Sequence, residues 1–286
     1  MKKYIKEWIL WGIAAFIAGT ILLVCNRDDK KDVVYDIVFL GDSVVGNAIG
    51  ETTITGILEQ RLGKSVYNGA LGGTCMSFDN DKVWESLNVP QWSMVKLAQA
   101  IYAEDWTSQL ATVTYAEKYR SINMTVLDYF YPRIRGLSEI DFSKVEILLI
   151  GHGTNDYNCG QPLESAEDPM DVTTFAGALR TSLSLLQEKY PKLRIILVSP
   201  AYCEIQADTF EKCYEVDFGG GTLDQYVEME RQIAAEYDVE WINLYHGSGI
   251  WEDNIDTYLY DKLHPNEEGT QLLGNLIADY LEKNKK

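Results

Sequence analysis

The sequence predicts a domain of the α/β class, in which about five parallel strands lie between two layers of helices, preceded by an N-terminal transmembrane helix. Three observations predict this architecture. Strand-like apolar runs alternate with helical patterns from residue 33 onward, and repeated strand–helix units build parallel sheets that are covered on both faces. The run 145–150 is continuously apolar, as strands buried on both faces are. The uncharged and mostly apolar stretch 8–26 predicts the membrane helix.

The predicted strands and helices follow one another in a regular order. The first helical pattern places Ile54, Ile57 and Leu58 at helical spacing. A later helix opens with the capping box of Thr222 and Gln225, and the last helix carries a single apolar stripe. The predicted strands are 34–40, 66–68, 145–150, 194–199 and 239–243, and the predicted helices are 52–62, 173–189, 222–237 and 266–282.

A long stretch, 74–143, separates the second strand from the third. It is rich in aromatic residues, among them Trp84, Trp92 and Trp106, and its pattern is mainly helical. We interpret it as an insertion beside the cleft of one domain that extends over 33–286. Residues 1–32 then form an N-terminal membrane anchor or signal segment and its linker.

The charges that flank the apolar N-terminal stretch do not decide its orientation. Three lysines precede it and three basic residues follow it, so the positive-inside count is a tie. No small-residue cleavage site precedes the charged run 27–31, and we therefore expect an uncleaved anchor. N-terminal anchors ahead of one soluble domain usually export it, so we expect the domain to be extracytoplasmic, or secreted if the segment is cleaved.

Composition narrows the class of partner. The formal net charge of −18 and the pI of about 4.5 argue against binding to nucleic acids or to anionic membrane surfaces. None of the five cysteines has a CxxC spacing, so a zinc site is not indicated. Cys203 and Cys213 either close a short loop as a disulfide or remain free buried thiols, and the sequence leaves both open.

Four polar segments fall at places where the predicted topology brings them together. Gly41-Asp42-Ser43 follows the first strand, 68–74 ("NGALGGT") follows the second, and 151–157 ("GHGTNDY") follows the third. The segment 261–265 ("DKLHP") precedes the last helix. Ligands of open α/β sheets bind beyond the carboxyl ends of the strands, so we expect all four segments at one edge of the sheet.

These segments resemble the four sequence blocks of the SGNH hydrolases, also called the GDSL lipase/esterase family. The first block, Gly-Asp-Ser, is matched at 41–43, although the leucine that usually follows is Val44 here. Gly73 is the best match for the glycine of the second block, 153–156 match Gly-x-Asn-Asp of the third, and 261–265 match Asp-x-x-His-Pro of the last. The resemblance implies a three-layer α/β/α fold with a flavodoxin-like sheet.

The resemblance also implies a catalytic site without metal or cofactor. Ser43 is the expected nucleophile and His264 the base that activates it. Asp261, three residues earlier, fixes the imidazole tautomer. The backbone N–H groups of Ser43 and Gly73 and the side chain of Asn155 form the expected oxyanion hole.

The function implied is that of a serine esterase which cleaves carboxylic esters through an acyl-enzyme. Its expected substrates are small-molecule or glycan esters, in particular acetyl or short acyl groups on carbohydrate, and no residue is assigned to substrate binding. Three alternatives stay open: an O-acyltransferase that modifies a glycan, a glycan-binding module without chemistry, and a metal-dependent phosphoesterase.

Four further polar residues near these blocks receive structural interpretations. Asp42 is expected to brace the turn, and Asp156 is expected to be structural. His152 is interpreted as a buried, hydrogen-bonded histidine, with a substrate contact as the alternative. His246 is interpreted as a loop residue.

Overall fold

The computed structural model describes residues 33–46, 52–78, 89–119, 129–206 and 210–285. A compact unit extends from Val34 to Lys286. The apolar stretch in which the anchor is predicted lies outside the described residues. Within the described ranges, no helix combines the length and the hydropathy that a bilayer crossing requires.

The strands of the described residues are β1 Ile37–Gly41, β2 Val66–Asn68, β3 Ile147–Gly151, β4 Arg194–Val198, β5 Glu204–Gln206, β6 Phe210–Lys212 and β7 Glu240–Ile242. Five of them form the central sheet of the domain, in the order β2-β1-β3-β4-β7. Every neighbouring pair in this sheet is parallel. This is the order of flavodoxin-like folds, as predicted. The other two strands, β5 and β6, pair with each other as a separate antiparallel hairpin, which was not predicted.

The helices of the described residues are α1 Ser43–Gly46, α2 Ile54–Leu62, α3 Met94–Ala103, α4 Thr107–Tyr119, α5 Phe130–Glu139, α6 Thr154–Asn158, α7 Phe175–Lys189, α8 Leu223–Glu236, α9 Leu244–Gly247, α10 Ile255–Tyr258 and α11 Glu267–Lys283. The longer helices cover the sheet in two layers. In one layer α2 packs against α11, and in the other α7 packs against both α3 and α8. Right-handed crossovers require this division, because the chain moves one way along the sheet through α2 and the other way through α7 and α8.

Side-chain caps fix where the long helices begin. The side chains of Thr53, Thr174 and Asn266 each accept the backbone N–H three residues later, and a cap of this kind contributes about 1 kcal/mol. The predicted boundary residues Thr222 and Gln225 form the expected reciprocal contact, in which Gln225 accepts the N–H of Thr222 at 2.9 Å. The helices therefore begin one or two residues later than the sequence pattern suggests.

The described part of 74–143 is helical, as its pattern indicates. It holds α3, α4 and α5 together with short 3₁₀ turns at Val89–Trp92 and Phe142–Lys144. Helix α3 buries most of its apolar residues and packs against α7, so it belongs to the helical layer of that face.

The neighbouring strands β1 and β3 are buried along their whole length, which accounts for their continuous apolar runs. They are in register, so Gly41 at the end of β1 lies opposite Gly151 at the end of β3. A Cβ atom added to Gly41 would lie 2.8 Å from the Gly151 carbonyl oxygen. The two glycines thus allow the strand ends to approach closely at the edge where the predicted blocks meet.

Candidate active site

Ser43 is the first residue of the short helix α1, directly after β1. The carboxylate of the preceding residue, Asp42, accepts the N–H of Val44 at 2.9 Å, and the Asp42 carbonyl accepts the N–H of Gly46 at 2.9 Å. These bonds turn the chain sharply at the strand end, and the Ser43 side chain stays only partly buried. Asp42 therefore braces the turn, as predicted.

His264 joins Ser43 to Asp261. The Nε2 atom of His264 lies 2.8 Å from Ser43 Oγ, and its Nδ1 atom lies 2.7 Å from Asp261 Oδ2. A carboxylate only accepts hydrogen bonds, so Nδ1 carries the proton and Nε2 is free to accept the proton of the serine hydroxyl. The structure thus brings together the three residues of the predicted triad.

The loop that carries His264 is shaped around Asp261. Asp261 Oδ1 accepts the backbone N–H of His264 at 2.7 Å and of Leu263 at 3.1 Å. Lys262, which lies between Asp261 and Leu263, adopts a left-handed backbone conformation with φ of 69°, which is uncommon outside glycine. Burial alone would raise the pKa of Asp261, but the hydrogen bonds from His264 and Leu263 bring it below its usual value. Asp261 is therefore ionised at neutral pH.

The segment predicted to supply the oxyanion hole lies beside the end of β1. The N–H of Leu71 donates to the Gly41 carbonyl at 2.8 Å, and Gly73 turns the chain with φ of 76°. The Asn155 side chain, on α6, donates from Nδ2 to the Thr74 carbonyl at 3.0 Å. The structure thus connects the residue after Gly73 with Asn155, next to the turn that carries Ser43.

Asp156 holds this loop in place. Its fully buried carboxylate accepts the N–H of Met76 at 2.7 Å, and the N–H and hydroxyl of Ser77 at 3.0 and 2.6 Å. Asp42 is also buried, and its side chain is hydrogen-bonded to Thr154. Burial raises the pKa of both carboxyl groups, that of Asp42 to about 7. Asp156 has the structural role that the sequence indicated.

Neither remaining histidine joins the triad. His152 is buried, with Nε2 3.4 Å from Thr74 Oγ1, and burial lowers its pKa to about 3. It is therefore neutral, and its contact with Thr74 helps to hold the loop that follows Gly73. His246 is exposed on α9, beside Tyr245 and Trp251. In the part of the chain that the structure describes, no three His, Cys, Asp or Glu side chains converge as a metal site would require.

Three residues near the site were not found by sequence reasoning. Arg133, on α5, donates to the Ala70 carbonyl at 2.6 Å and the Gly46 carbonyl at 3.1 Å, and its guanidinium lies 4.0 Å from the centre of the Tyr129 ring. The Tyr129 hydroxyl is hydrogen-bonded to the Gly72 backbone. Since these contacts join distant parts of the chain, no local motif marks them.

The third of these residues is Tyr260, which precedes Asp261. Its ring is stacked on that of His264, with centroids 5.7 Å apart and planes inclined by 18°, and about half of its surface is exposed. Its position next to the last block could have drawn attention to it in the sequence, but the sequence does not show that its ring stacks on His264.

A cavity of about 850 Å³ lies elsewhere in the domain. Its lining includes Ile147 and Arg194, the first residues of β3 and β4, and Glu240, the first residue of β7. It therefore opens at the amino ends of the strands, opposite the edge that carries Ser43. Ligands of open α/β sheets bind at the carboxyl ends, so we place the functional site at Ser43 and not in this cavity.

Comparison with known proteins decides the family. The model of the GDSL-like lipase/acylhydrolase family matches residues 39–272, a range that includes all four blocks. The chain belongs to the GDSL-like lipase/acylhydrolase family. No functionally curated sequence is significantly similar to this family member.

Solved structures agree with the family in fold. A protein from Lactobacillus plantarum is 20% identical and superposes with a TM-score of 0.61, covering 89% of this chain and 100% of its own. A protein from Chitinophaga pinensis, described as a possible lipase, is 15% identical with a TM-score of 0.56, covering 87% of this chain and 98% of its own. At these identities the likeness concerns the fold alone.

Proposed function

We propose that this family member is a serine esterase that hydrolyses carboxylic esters through an acyl-enzyme. The observation that carries the proposal is the hydrogen-bonded series Ser43 Oγ–His264 Nε2 at 2.8 Å and His264 Nδ1–Asp261 Oδ2 at 2.7 Å. A serine hydroxyl is a weak nucleophile until an adjacent base takes its proton, and here the base is within direct reach.

The reaction follows from this geometry in two halves. Ser43 Oγ attacks the ester carbonyl as its proton passes to His264, and His264 returns that proton to the departing alcohol. Water, deprotonated by His264, then attacks the acyl group on Ser43, and His264 returns the proton to Ser43 Oγ as its bond to the acyl group breaks and the acid leaves. Asp261 stabilises the imidazolium in both halves, and the N–H groups of Ser43 and Gly73 and the Asn155 amide stabilise each oxyanion.

The experiment that tests the proposal combines one variant with one covalent probe. Ser43→Ala should abolish hydrolysis of a chromogenic acetate ester without lowering the melting temperature, because Ser43 lies on a partly exposed turn. A serine-reactive phosphonate should label the unaltered protein once, at Ser43. Hydrolysis by Ser43→Ala, or label on another residue, would remove the assignment, and absence of both activity and label would favour a binding module.

For the substrate we propose an acetyl or short acyl ester on a carbohydrate. Tyr260 supports this class, since its ring is stacked on that of His264 and about half of its surface is exposed, so an aromatic side chain lies beside the expected base where the sugar of such an ester would bind. Chromogenic esters of increasing chain length, compared with acetate release from acetylated glycans, test the choice. Acyl transfer to an added sugar in preference to water would indicate an acyltransferase with the same triad.

We also propose that the apolar stretch 8–25 anchors the protein in a membrane, with the hydrolase domain extracytoplasmic. Its composition supports an anchor: it contains no charged residue and is long enough to cross a hydrocarbon core. The full-length protein should remain in membrane fractions through a high-salt wash. Recovery in the soluble fraction would contradict this.

A further inference from the structure

Four cysteine side chains of the domain form two contacting pairs, Cys75 with Cys159 and Cys203 with Cys213. The Cys75 thiol forms a hydrogen bond with the Cys159 thiol. Cys75 is buried in the loop that follows β2, and Cys159 caps the C-terminal end of α6 at partial exposure. Within the described residues, Cys75, Cys159, Cys203 and Cys213 are all present as thiols.

The second pair lies at the base of the β5–β6 hairpin. Glu204 pairs with Lys212 in its antiparallel register, which places Cys203 opposite Cys213. The Cys213 N–H donates to the Cys203 carbonyl at 3.3 Å, and their thiols are hydrogen-bonded to each other. Directly opposed residues of an antiparallel pair have Cα atoms about 4.5 or 5.5 Å apart, and both separations lie within the range that a disulfide spans.

Each pair joins chain segments that build one half of the site. The Cys75–Cys159 pair connects the loop that contains Gly73 with the helix that carries Asn155. The Cys203–Cys213 pair closes a hairpin whose Glu204 N–H donates to the Lys262 carbonyl at 3.0 Å, within the loop that carries the base. One thiol pair therefore lies in the segments that carry Gly73 and Asn155, and the other adjoins the loop that carries His264.

We propose that Cys75–Cys159 and Cys203–Cys213 are two disulfide sites, oxidised when the domain folds in an oxidising compartment, and that the two bridges hold the loops of the site in place. The bridges themselves do not depend on the proposed function, but their effect on activity rests on it. Oxidation of only these two pairs is expected because each thiol already contacts its partner.

The oxidant is a disulfide donor, either a small molecule or a dithiol oxidoreductase. One thiolate attacks the donor disulfide and forms a mixed disulfide, releasing one donor thiol. The second cysteine, deprotonated, then displaces the other donor thiol, so that two protein thiols become one disulfide as the donor is reduced to two thiols. In the buried pair, the Cys203 thiol lowers the pKa of Cys213 by hydrogen bonding to it, which favours Cys213 as the first thiolate.

The decisive experiment is disulfide mapping on the full chain. The protein is refolded either with a reduced and oxidised glutathione mixture or with dithiothreitol, denatured, blocked with N-ethylmaleimide and digested without reduction. Mass spectrometry should find peptides that link Cys75 to Cys159 and Cys203 to Cys213 in the first sample only. N-ethylmaleimide on all four of these cysteines in both samples, or links between members of different pairs, would overturn the proposal, whatever the activity of the protein.

A second measurement tests whether the bridges stabilise the fold. Oxidation should raise the melting temperature of the unaltered protein by roughly 5 °C or more. The Cys75→Ser/Cys159→Ser variant should lose most of this rise, because that bridge closes the longer loop, and Cys203→Ser/Cys213→Ser should lose less. Comparing oxidised with reduced protein within each variant cancels the packing cost of the substitutions. An equal rise in all three proteins would refute a stabilising role.

Discussion

The side-chain amide of Asn155 donates a hydrogen bond from Nδ2 to the carbonyl oxygen of Thr74, at 3.0 Å. Only the nitrogen of an amide donates, so this bond fixes which way the Asn155 side chain faces. The same nitrogen has a second N–H, for which the structure shows no acceptor among the described residues. We expect that N–H to bind the oxyanion of the reacting ester.

Replacing Asn155 should reduce kcat more than it changes KM. Asn155→Ala removes the donor and should lower kcat by about 10²–10³, because the interaction matters mainly in the transition state. Asn155→Asp should lower kcat further, since its carboxylate also repels the developing negative charge. Steady-state kinetics on a soluble ester measures both. Asn158→Ala, in the same helix, is the matched control and should stay near the unaltered kcat. A raised KM with unchanged kcat in both Asn155 variants would indicate a positioning role instead.

Asp261→Asn tests the tautomer of His264. An asparagine retains the oxygen that accepts the N–H of His264, but its NH₂ group can donate to Nδ1. The imidazole proton then sits on Nε2, which cannot accept from Ser43, and we expect kcat to fall by about 10³–10⁴.

The matched control for this change is Asp256→Asn. The side chain of Asp256 is strongly exposed, and its Oδ1 atom lies 2.7 Å from Lys262 Nζ. The substitution therefore removes a negative charge beside the same loop but leaves the contacts between Asp261 and His264 in place. It should change kcat by no more than a few-fold. Single-turnover acylation with a chromogenic ester separates the two variants, and comparable losses in both would mean that loop charge matters and the tautomer does not.

Tyr260 should act on the sugar part of the substrate and not on the chemistry. Tyr260→Ala is expected to raise KM for an acetylated glycan about 3- to 10-fold, the size of one aromatic contact. Hydrolysis of a small chromogenic acetate should be nearly unchanged. Tyr260→Phe retains the ring and should behave like the unaltered protein. If Tyr260→Ala slows both substrates equally, the ring serves to orient His264.

Glu230 should make the domain less stable as the pH rises. Its buried carboxyl group accepts the Trp241 indole N–H at 3.0 Å, and burial raises its pKa from 4.5 to about 8. Between these values the folded chain holds a proton that the unfolded chain has lost, so this group's contribution to stability falls from pH 4.5 to about pH 8. Glu230→Gln should therefore gain stability relative to the unaltered protein across that interval.

Urea unfolding at pH 5 and pH 8 measures this difference. Glu228→Gln, in the same helix, is the control, because hydrogen bonds from Arg231 and Gln232 lower the pKa of Glu228 to about 2. Both its folded and its unfolded forms are ionised across most of the tested interval, so its difference from the unaltered protein should not vary between the two pH values. A constant difference for Glu230→Gln as well would contradict the assignment.

The parts of this protein that sequence reasoning found are those with a local signal. Apolar runs marked the five strands of the sheet. The rule that ligands bind at the carboxyl ends of strands predicted that the segments containing Ser43 and His264 lie at the same edge of the sheet. Arg133 carries no such signal, because its acceptors at Gly46 and Ala70 are distant in the chain. The β5–β6 hairpin was missed because its strands, Glu204–Gln206 and Phe210–Lys212, are short and each holds two polar residues, so neither contains an apolar run. The catalytic roles of the site residues stay predictions until the variants are measured.

The contact between Ser43 and His264 spans 221 positions of the chain, and this separation has a consequence for synthesis. Ser43 leaves the ribosome early, whereas His264 directly precedes α11, the last described helix. That helix docks on α2, where Arg61 binds Asp279 and Glu282 at 2.7 Å. During synthesis, Ser43 is therefore present long before His264, its proposed base. Recovery of esterase activity on refolding should accordingly report the docking of α11, and a chain interrupted before that helix should be inert toward esters in the cell that makes it.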